Sequence, residues 1–104
     1  ISRRSSLYYY KLSALGSVDG TVLKMVQINW HDNSGRLVKT IQADSLVVRL
    51  HEKGASVELE MRNGAFLDNG ARNPFSSDTF RLFLPRQDLA EWRASGVPCV
   101  EVAG

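Results

Sequence analysis

The chain has 104 residues, of which 43% are hydrophobic and 23% are charged, and its formal net charge is +2. This size and composition predict one soluble globular domain over residues 1–104. Basic and acidic residues alternate along the chain, which argues against nucleic-acid binding because that function needs a concentrated basic face. The sequence also lacks a run of about 20 apolar residues that could span a bilayer as a helix.

Turn-forming clusters divide the chain at short intervals into segments rich in aliphatic, β-branched and aromatic residues. The clusters contain Gly or Pro beside polar residues, and they lie at residues 16–20, 31–35, 52–54, 63–64, 68–70 and 73–74. Glycine supplies positive φ angles at such positions, and Asn and Asp tolerate them. This spacing predicts a mainly β fold, an antiparallel β-sandwich or β-jellyroll with one short C-terminal helix.

Alternating apolar and polar residues indicate where the strands lie. In chain order, the predicted strand segments are residues 7–15, 22–30, 37–43, 46–50, 56–62, 66–67, 80–84 and 97–102. In the second segment, alternation places Val22, Val26 and Ile28 on one face and Leu23 and Met25 on the other.

The segment at residues 56–62 has the most regular alternation. Its pattern predicts that Val57, Leu59 and Met61 face the core. The same pattern predicts that Glu58 and Glu60 face solvent.

One helix is predicted over residues 86–94. Pro85 suits the start of a helix, and Gly96 suits the left-handed residue that ends one. Leu89 and Trp92 are three residues apart and share a face, so we expect them to cover one end of the sheet.

Few side chains in the sequence could act as a catalytic base, a nucleophile or a metal ligand. His31 and His51 are the two imidazoles, and both fall in or beside predicted turns. Cys99 is the single cysteine, so it cannot form an internal disulfide, and we predict that it is a small buried hydrophobe. Phosphate-binding glycine motifs and metal-ligand spacings are absent. We therefore predict no catalytic residue, metal site or cofactor, and we expect these three side chains to be dispensable.

Apolar residues of two neighbouring predicted strands form the candidate binding surface. They are Val22, Val26, Ile28, Leu46, Val48 and Leu50. Long apolar strands leave unpaired edges that proteins must cover or use. We expect these residues to line either an ordinary closed core or a groove that reaches an open sheet edge and binds lipid or an adjacent β-domain.

Three segments between residues 18 and 70 follow a recognisable order. They read GTVLKMVQI at 20–28, GRLVKTIQAD at 35–44 and VELEMRNG at 57–64. This order resembles the periplasmic β-jellyroll domain of the lipopolysaccharide export permease family. The resemblance implies a non-catalytic transport or assembly module that binds lipid acyl chains or pairs with a neighbouring β-domain by strand addition.

The resemblance also implies a periplasmic location and a membrane-anchored parent protein. The chain starts at Ile1 rather than Met and stops at Gly104 just after a predicted strand. Both features lead us to expect a domain excised from a longer envelope protein.

A β-sandwich that binds carbohydrate or mediates adhesion is the alternative function. In that case Tyr8, Tyr9, Tyr10 or Trp30 would form a platform on which sugar rings stack. The two hypotheses differ in what they require: a groove needs an apolar lining that reaches an open seam, whereas a sugar site needs exposed, coplanar aromatic rings with polar neighbours.

Overall fold

Strands make up most of the chain, with one short helix near its C-terminal end. The computed structural model describes the backbone of residues 2–4 and 8–103 and the side chains of residues 10–103. In chain order the elements are β1 Ser2–Arg4, β2 Tyr8–Asp19, β3 Val22–Asp32, β4 Leu37–His51, β5 Ser56–Asp68, β6 Ala71–Pro74, β7 Thr79–Leu84, α1 Leu89–Ala94 and β8 Val100–Val102. The predicted fold class, mainly β with one short C-terminal helix, is confirmed.

All eight strands of the described residues belong to one strongly folded sheet. Strands β1 to β5 pair consecutively and antiparallel, and the far side of β5 is shared by β7 along its first half and β6 along its second. After α1 the chain returns as β8, which pairs with the end of β4 in the parallel sense. The longest strands, β2 to β5, therefore form the framework.

In the long strands, the face of the sheet that points into the core switches from one side to the other. The switch occurs at the same row of neighbouring residues. In β3, Leu23 and Val26 are both buried although they are three residues apart. Met25 lies between them with a φ of 54°, and Asn63 in β5 has a φ of 51°. A left-handed residue inside a strand turns the following side chains to the other side, as a bulge does. Both halves of the folded sheet consequently face a single core.

This row, which we call the kink row, corrects the face assignment predicted for residues 22–30. Uninterrupted alternation would have grouped Val22 with Val26 and opposed both to Leu23. The structure instead buries Leu23 and Val26 together, whereas Val22 is half-buried and lies opposite Val47 on the outer side. Regular alternation could not anticipate a positive φ at Met25, because this conformation is rare for a side chain of that size.

Several predicted turns are interior parts of longer strands. Residues 16–19 lie within β2 and residues 73–74 within β6. The predicted segments 37–43 and 46–50 continue into one another as a single strand, β4. Asn63 and Gly64 do not form a hairpin turn, because β5 passes through them and continues to Asp68. The turn predicted at residues 68–70 is confirmed, since Asn69 and Gly70 both have positive φ and connect β5 to β6.

Helix α1 is shorter than predicted and starts at Leu89. Arg86 has a φ of 53°, which is incompatible with a right-handed helix at that position. The helix begins instead after Asp88, whose side chain accepts a hydrogen bond from the backbone N–H of Glu91. As predicted, Leu89 and Trp92 are buried and cover the sheet.

Candidate functional site

Five of the six predicted binding residues lie in the core. Their exposed fractions are 3% for Val26, 3% for Ile28, 3% for Leu46, 1% for Val48 and 0% for Leu50. Val22 is the exception, because it lies on the outer side of the sheet beside Val47. The five buried residues come from both sides of the kink row, so the folding of the sheet brings them together.

The space between the two halves of the sheet is narrow. A cavity of about 30 Å³ lies there, and its lining includes Tyr10, Leu12, Ile28, Val48, Trp92 and Val97. Pockets that enclose a small organic ligand are roughly 300–1,000 Å³ in volume. An acyl chain would therefore enter this core only if the two halves moved apart.

The outer edge of β2 is open along most of its length. β1 covers it as far as Lys11, and from residue 12 to residue 19 no described strand pairs with that side. We call residues 12–19 the β2 edge. Its backbone N–H and C=O groups that point away from β3 lack a strand partner within the described part of the chain.

Three apolar residues of the β2 edge lie on the core side of the sheet. Leu12 is opposite Ile28, Leu15 is opposite Val26, and Val18 is opposite Leu23, and each of these β3 partners is buried. Yet Leu15 is 42% exposed and Val18 is 47% exposed. The core is therefore open to solvent along this edge, which forms an apolar seam.

The prediction that Glu58 and Glu60 face solvent is wrong. Both lie on the outer side of the sheet, as their alternation requires, but they are only 7% and 5% exposed. Long cationic side chains of the neighbouring strands cover them, because Arg49 of β4 and Arg81 of β7 are cross-strand neighbours of these glutamates.

These charged residues form a compact network, which we call the arginine–glutamate cluster. Arg49 donates to Glu60 Oε1 at 2.8 Å, and Arg81 donates to Glu60 Oε2 at 2.7 Å. His51 Nε2 lies 2.8 Å from Glu58 Oε1, and Arg81 Nε lies 3.4 Å from Glu58 Oε2. Each carboxylate is thus engaged by basic groups, so the cluster is suited to holding β4, β5 and β7 together rather than to acid–base chemistry.

The guanidinium of Arg49, hydrogen-bonded to Glu60, holds the pKa of that carboxyl below its ordinary value of 4.5, and Arg81 adds to the effect. Because the folded state binds this proton less readily than the unfolded state, Glu60 stabilises the fold above the unfolded pKa. That contribution disappears as the pH falls through the lower, folded value. We expect the free energy of unfolding to decline as the pH falls through the ordinary carboxyl pKa of 4.5 towards the lower, folded value.

Replacing Glu60 with Gln should destabilise the protein by about 2–3 kcal/mol at neutral pH. This loss is smaller than the usual cost of breaking a fully buried ion pair, because Arg49 and Arg81 remain partly exposed and solvent can hydrate them. Urea unfolding at pH 7 and pH 4 measures the free energy of unfolding of both proteins. The difference between the variant and the unmodified protein should be smaller at pH 4. Glu52→Gln is the matched control, because Glu52 also binds an arginine but its side chain is 65% exposed. Equal effects of the two substitutions would contradict the role assigned to the cluster.

His31 and Cys99 each lie against a backbone carbonyl group. No group of three or more His, Cys, Asp or Glu side chains among the described residues is arranged to hold a metal ion. His31 sits in a tight turn with its Nδ1 3.3 Å from the carbonyl of Gly35. Cys99 is half-buried, with its Sγ 3.2 Å from the carbonyl of Val97. The dispensability of His31, His51 and Cys99 stays a prediction.

The aromatic side chains of Tyr10 and Trp30 pack on each other. Their ring centroids are 5.8 Å apart with an interplanar angle of 27°, and Lys39 Nζ lies 5.7 Å from the Trp30 ring. Tyr10 is only 8% exposed. These two rings therefore do not form the open platform that a sugar site requires, and the side chains of Tyr8 and Tyr9 lie outside the described residues.

An open depression of about 240 Å³ lies beside the kink row. Its lining includes Gln27, Gln42, Asp44 and Arg72. Gln42 donates to Gln27 Oε1 at 3.0 Å, and Asn63 donates to Asp44. Polar groups that bind one another in this way stabilise the sheet.

Comparisons with family models, with curated proteins and with solved structures found no match to this chain. Within the described residues, no helix has the length and apolar character needed to cross a bilayer.

Sequence reasoning missed both the β2 edge and the arginine–glutamate cluster. The edge carries a visible signal, because Leu12, Leu15 and Val18 recur every three residues, which fits neither a regular strand nor the predicted end at residue 15. The cluster depends on register: the alternating charges of β4 and β5 become informative only once Arg49 is known to lie opposite Glu58.

Proposed function

We propose that this chain is a non-catalytic assembly module that joins an adjacent β-domain by accepting one of its strands along the β2 edge. One observation carries the proposal: along the β2 edge no strand of the described residues pairs with the outward-pointing backbone groups, and the inward-facing apolar side chains are partly exposed. An added strand would bind the free backbone groups and cover Leu15 and Val18 at the same time.

The residue types along the β2 edge support this role, because they lack the features that usually block strand pairing. Natural proteins protect free edges with charged side chains, especially lysine, and with proline. The edge strands β6 and β7 carry such residues, namely Arg72, Pro74 and Arg81. From Leu12 to Val18 the β2 edge has neither a charge nor a proline. An edge left unprotected in this way favours pairing with another strand.

Hydrogen bonding favours a strand over an acyl chain as the occupant. A lipid tail laid along the seam would surround backbone N–H and C=O groups with hydrocarbon and leave them unsatisfied, which costs free energy for each group. A peptide strand satisfies them. The cavity of about 30 Å³ also leaves no room for a tail inside the core.

The bacterial envelope is the setting that we propose for this module. The support for this setting is the resemblance of residues 18–70 to the periplasmic domain of lipopolysaccharide export permeases. The motifs of that domain alternate apolar and other residues in the way that β3 to β5 do. Strand addition between such domains would produce a continuous β-structure without covalent chemistry.

A photo-crosslinking amino acid at Ser17 of the full-length protein tests the proposal in its native cells. We expect an adduct whose crosslinked peptide maps to a β-strand of a neighbouring domain. Val18→Lys should abolish that adduct, because a charged side chain would point into the seam. Leu37→Lys is the matched control, since Leu37 is 50% exposed on β4, away from the edge.

Two outcomes would contradict the proposal. One is an adduct with lipid alone, which would make the seam a lipid path. The other is labelling at Ser17 no stronger than labelling at Asn33, an exposed turn residue between β3 and β4.

A further inference from the structure

We infer that the strand accepted by the β2 edge runs antiparallel to β2 and places a residue of left-handed conformation, best supplied by glycine or asparagine, opposite Gly16. This inference rests on the proposed function, because it describes the strand that the adjacent β-domain must supply. The kink row carries the inference, since it repeats one pattern across the four long strands.

Each long strand has core-side residues three positions apart across the kink row. These residues form two continuous cross-strand rows, which are Val18, Leu23, Leu46 and Met61 on one side and Leu15, Val26, Ala43 and Gly64 on the other. Regular alternation would instead separate core-side residues by an even number of positions. A strand that continues both rows beyond β2 therefore needs apolar residues three positions apart, opposite Val18 and Leu15.

Left-handed residues at the kink row occur in alternate strands. Met25 in β3 and Asn63 in β5 have φ angles of 54° and 51°, whereas no described residue within β2 or β4 has a positive φ. Met25 and Asn63 lie on the two sides of Asp44 in β4, at the same level of the ladder. At this level β4 is thus flanked on both edges by a strand with a left-handed residue.

β2 is equivalent to β4 at the kink row. Gly16 has the place in β2 that Asp44 has in β4, because both lie level with Met25, from opposite sides of β3. Met25 flanks Gly16 on one side, and the β2 edge is the other side. The arrangement around Asp44 therefore predicts a second left-handed residue on the open side of Gly16, contributed by the accepted strand.

The lack of a side chain at Gly16 suits this arrangement. A methyl group built on Gly16 would lie 2.9 Å from Cβ of Met25, closer than such atoms can approach without a shift. Glycine at this position therefore lets the left-handed residue of β3 pack closely against β2. It also presents no side chain that would oppose a left-handed residue on the open edge.

The conformation determines which residue types suit the accepted strand. Residues 23–26 read LKMV and residues 61–64 read MRNG, and the left-handed residue is the third in each segment. Glycine adopts a left-handed φ without steric strain, and asparagine adopts it more readily than most residues. We therefore expect the accepted strand to read apolar, polar, glycine or asparagine, and apolar at this level.

The direction of the accepted strand follows from its neighbours. β3 and β5, which carry the left-handed residues, are antiparallel to the long strands beside them. β1 is also antiparallel to β2 and pairs with its outer side as far as Lys11. A strand that pairs with residues 14–19 in this direction lies beyond Lys11 and beyond the register shift that precedes Ala14, so β1 keeps its place.

Synthetic peptides test the left-handed conformation directly. Each short peptide has leucine, lysine, alanine and valine at its centre and threonines on both sides, and two versions carry the alanine as its L or D enantiomer. D-Alanine favours the left-handed region that L-alanine avoids, and the two peptides are otherwise identical. The purified chain should bind the D-alanine peptide about tenfold more tightly in fluorescence anisotropy titrations.

The matched control moves the exchange of enantiomers to the threonine that precedes leucine. That residue would lie opposite Asp19, away from the kink row, so the peptide with D-alanine there should bind no more tightly than its L-alanine counterpart. Val18→Lys should weaken the binding of every peptide, because a charged side chain would point into the seam.

Engineered cysteines test the direction and register of the bound peptide. Directly opposed residues in antiparallel strands have Cα atoms about 4.5–5.5 Å apart, which is within the range for a disulfide. With Cys99 replaced by Ser, Leu15→Cys should crosslink to a peptide that has cysteine in place of valine. Val18→Cys should crosslink to a peptide that has cysteine in place of leucine. The exchanged combinations, which a parallel strand would favour, should react more slowly.

Equal binding of the two enantiomers, or tighter binding of the L-alanine peptide, overturns the inference and leaves the proposed function standing, because a strand is still accepted. Faster crosslinking in the exchanged combinations overturns it as well. If no peptide binds, the strand that Ser17 captures in cells gives the answer: glycine, asparagine or aspartate opposite Gly16 supports the inference, and any other residue overturns it. If Ser17 captures no strand, the proposed function and the inference both fail.

Discussion

Replacing Gly64 with Ala should destabilise the protein by more than about 3 kcal/mol, beyond the usual cost of overpacking a core. A methyl group on Gly64 would lie 2.1 Å from the backbone oxygen of Gln42 and 2.8 Å from the ring of Phe75. The oxygen belongs to the neighbouring strand and cannot move alone. The ring is held by Phe66 and Phe80, whose centroids are 5.1 Å and 5.4 Å away. Denaturant unfolding measures the loss.

Gly20→Ala is the matched control for that substitution. Gly20 has a φ of 63°, but a methyl group there would have no described atom within 4 Å, so alanine should cost only about 1–2 kcal/mol of backbone strain. Gly64→Ala should therefore lower the free energy of unfolding more than Gly20→Ala does. If Gly64→Ala were tolerated as well as Gly20→Ala, β4 and β5 would not approach one another next to the kink row as the structure places them.

Replacing Leu59 with Ala should cost about 2–5 kcal/mol, the range for deleting a buried leucine side chain. Leu59 is 3% exposed, lies between Val48 of β4 and Leu82 of β7, and lines the small core cavity. Its removal would enlarge that cavity, because the paired strands around it have little freedom to collapse. Thermal or denaturant unfolding provides the measurement.

Leu37→Ala is the control for the core substitution, because Leu37 is 50% exposed and its truncation should change stability by less than about 0.5 kcal/mol. A loss below about half a kcal/mol for Leu59→Ala would mean that the register of β5 is wrong.

The sequence predicted the parts of the fold that follow from regular alternation. Val57, Leu59 and Met61 are buried as expected, because β5 is a regular strand up to the kink row. Alternation failed at Met25, where a left-handed residue redirects the strand. It could not reveal this conformation because methionine carries no local preference for positive φ.

The candidate site was harder to predict because it depends on contacts between distant segments. Five of the six predicted residues are buried as an apolar pattern suggests, but the pattern could not distinguish a closed core from an open groove. The burial of Glu58 and Glu60 depends on Arg49 and Arg81, which are distant in sequence and adjacent only through register. The openness of the β2 edge likewise depends on which strands pair with it, a property of topology that no local pattern encodes.

Amide hydrogen exchange along β2 in the assembled full-length protein tests the central claim most directly. Within residues 12–19, the amides that point away from β3 have no strand partner among the described residues, so their protection reports a bound strand. We predict that they exchange as slowly as the amides of β3 in the assembly, and that Val18→Lys makes them fast while β3 stays protected. Fast exchange of these outward amides in the assembled, unmodified protein, at the rate of the outer edge of β7, would contradict the account.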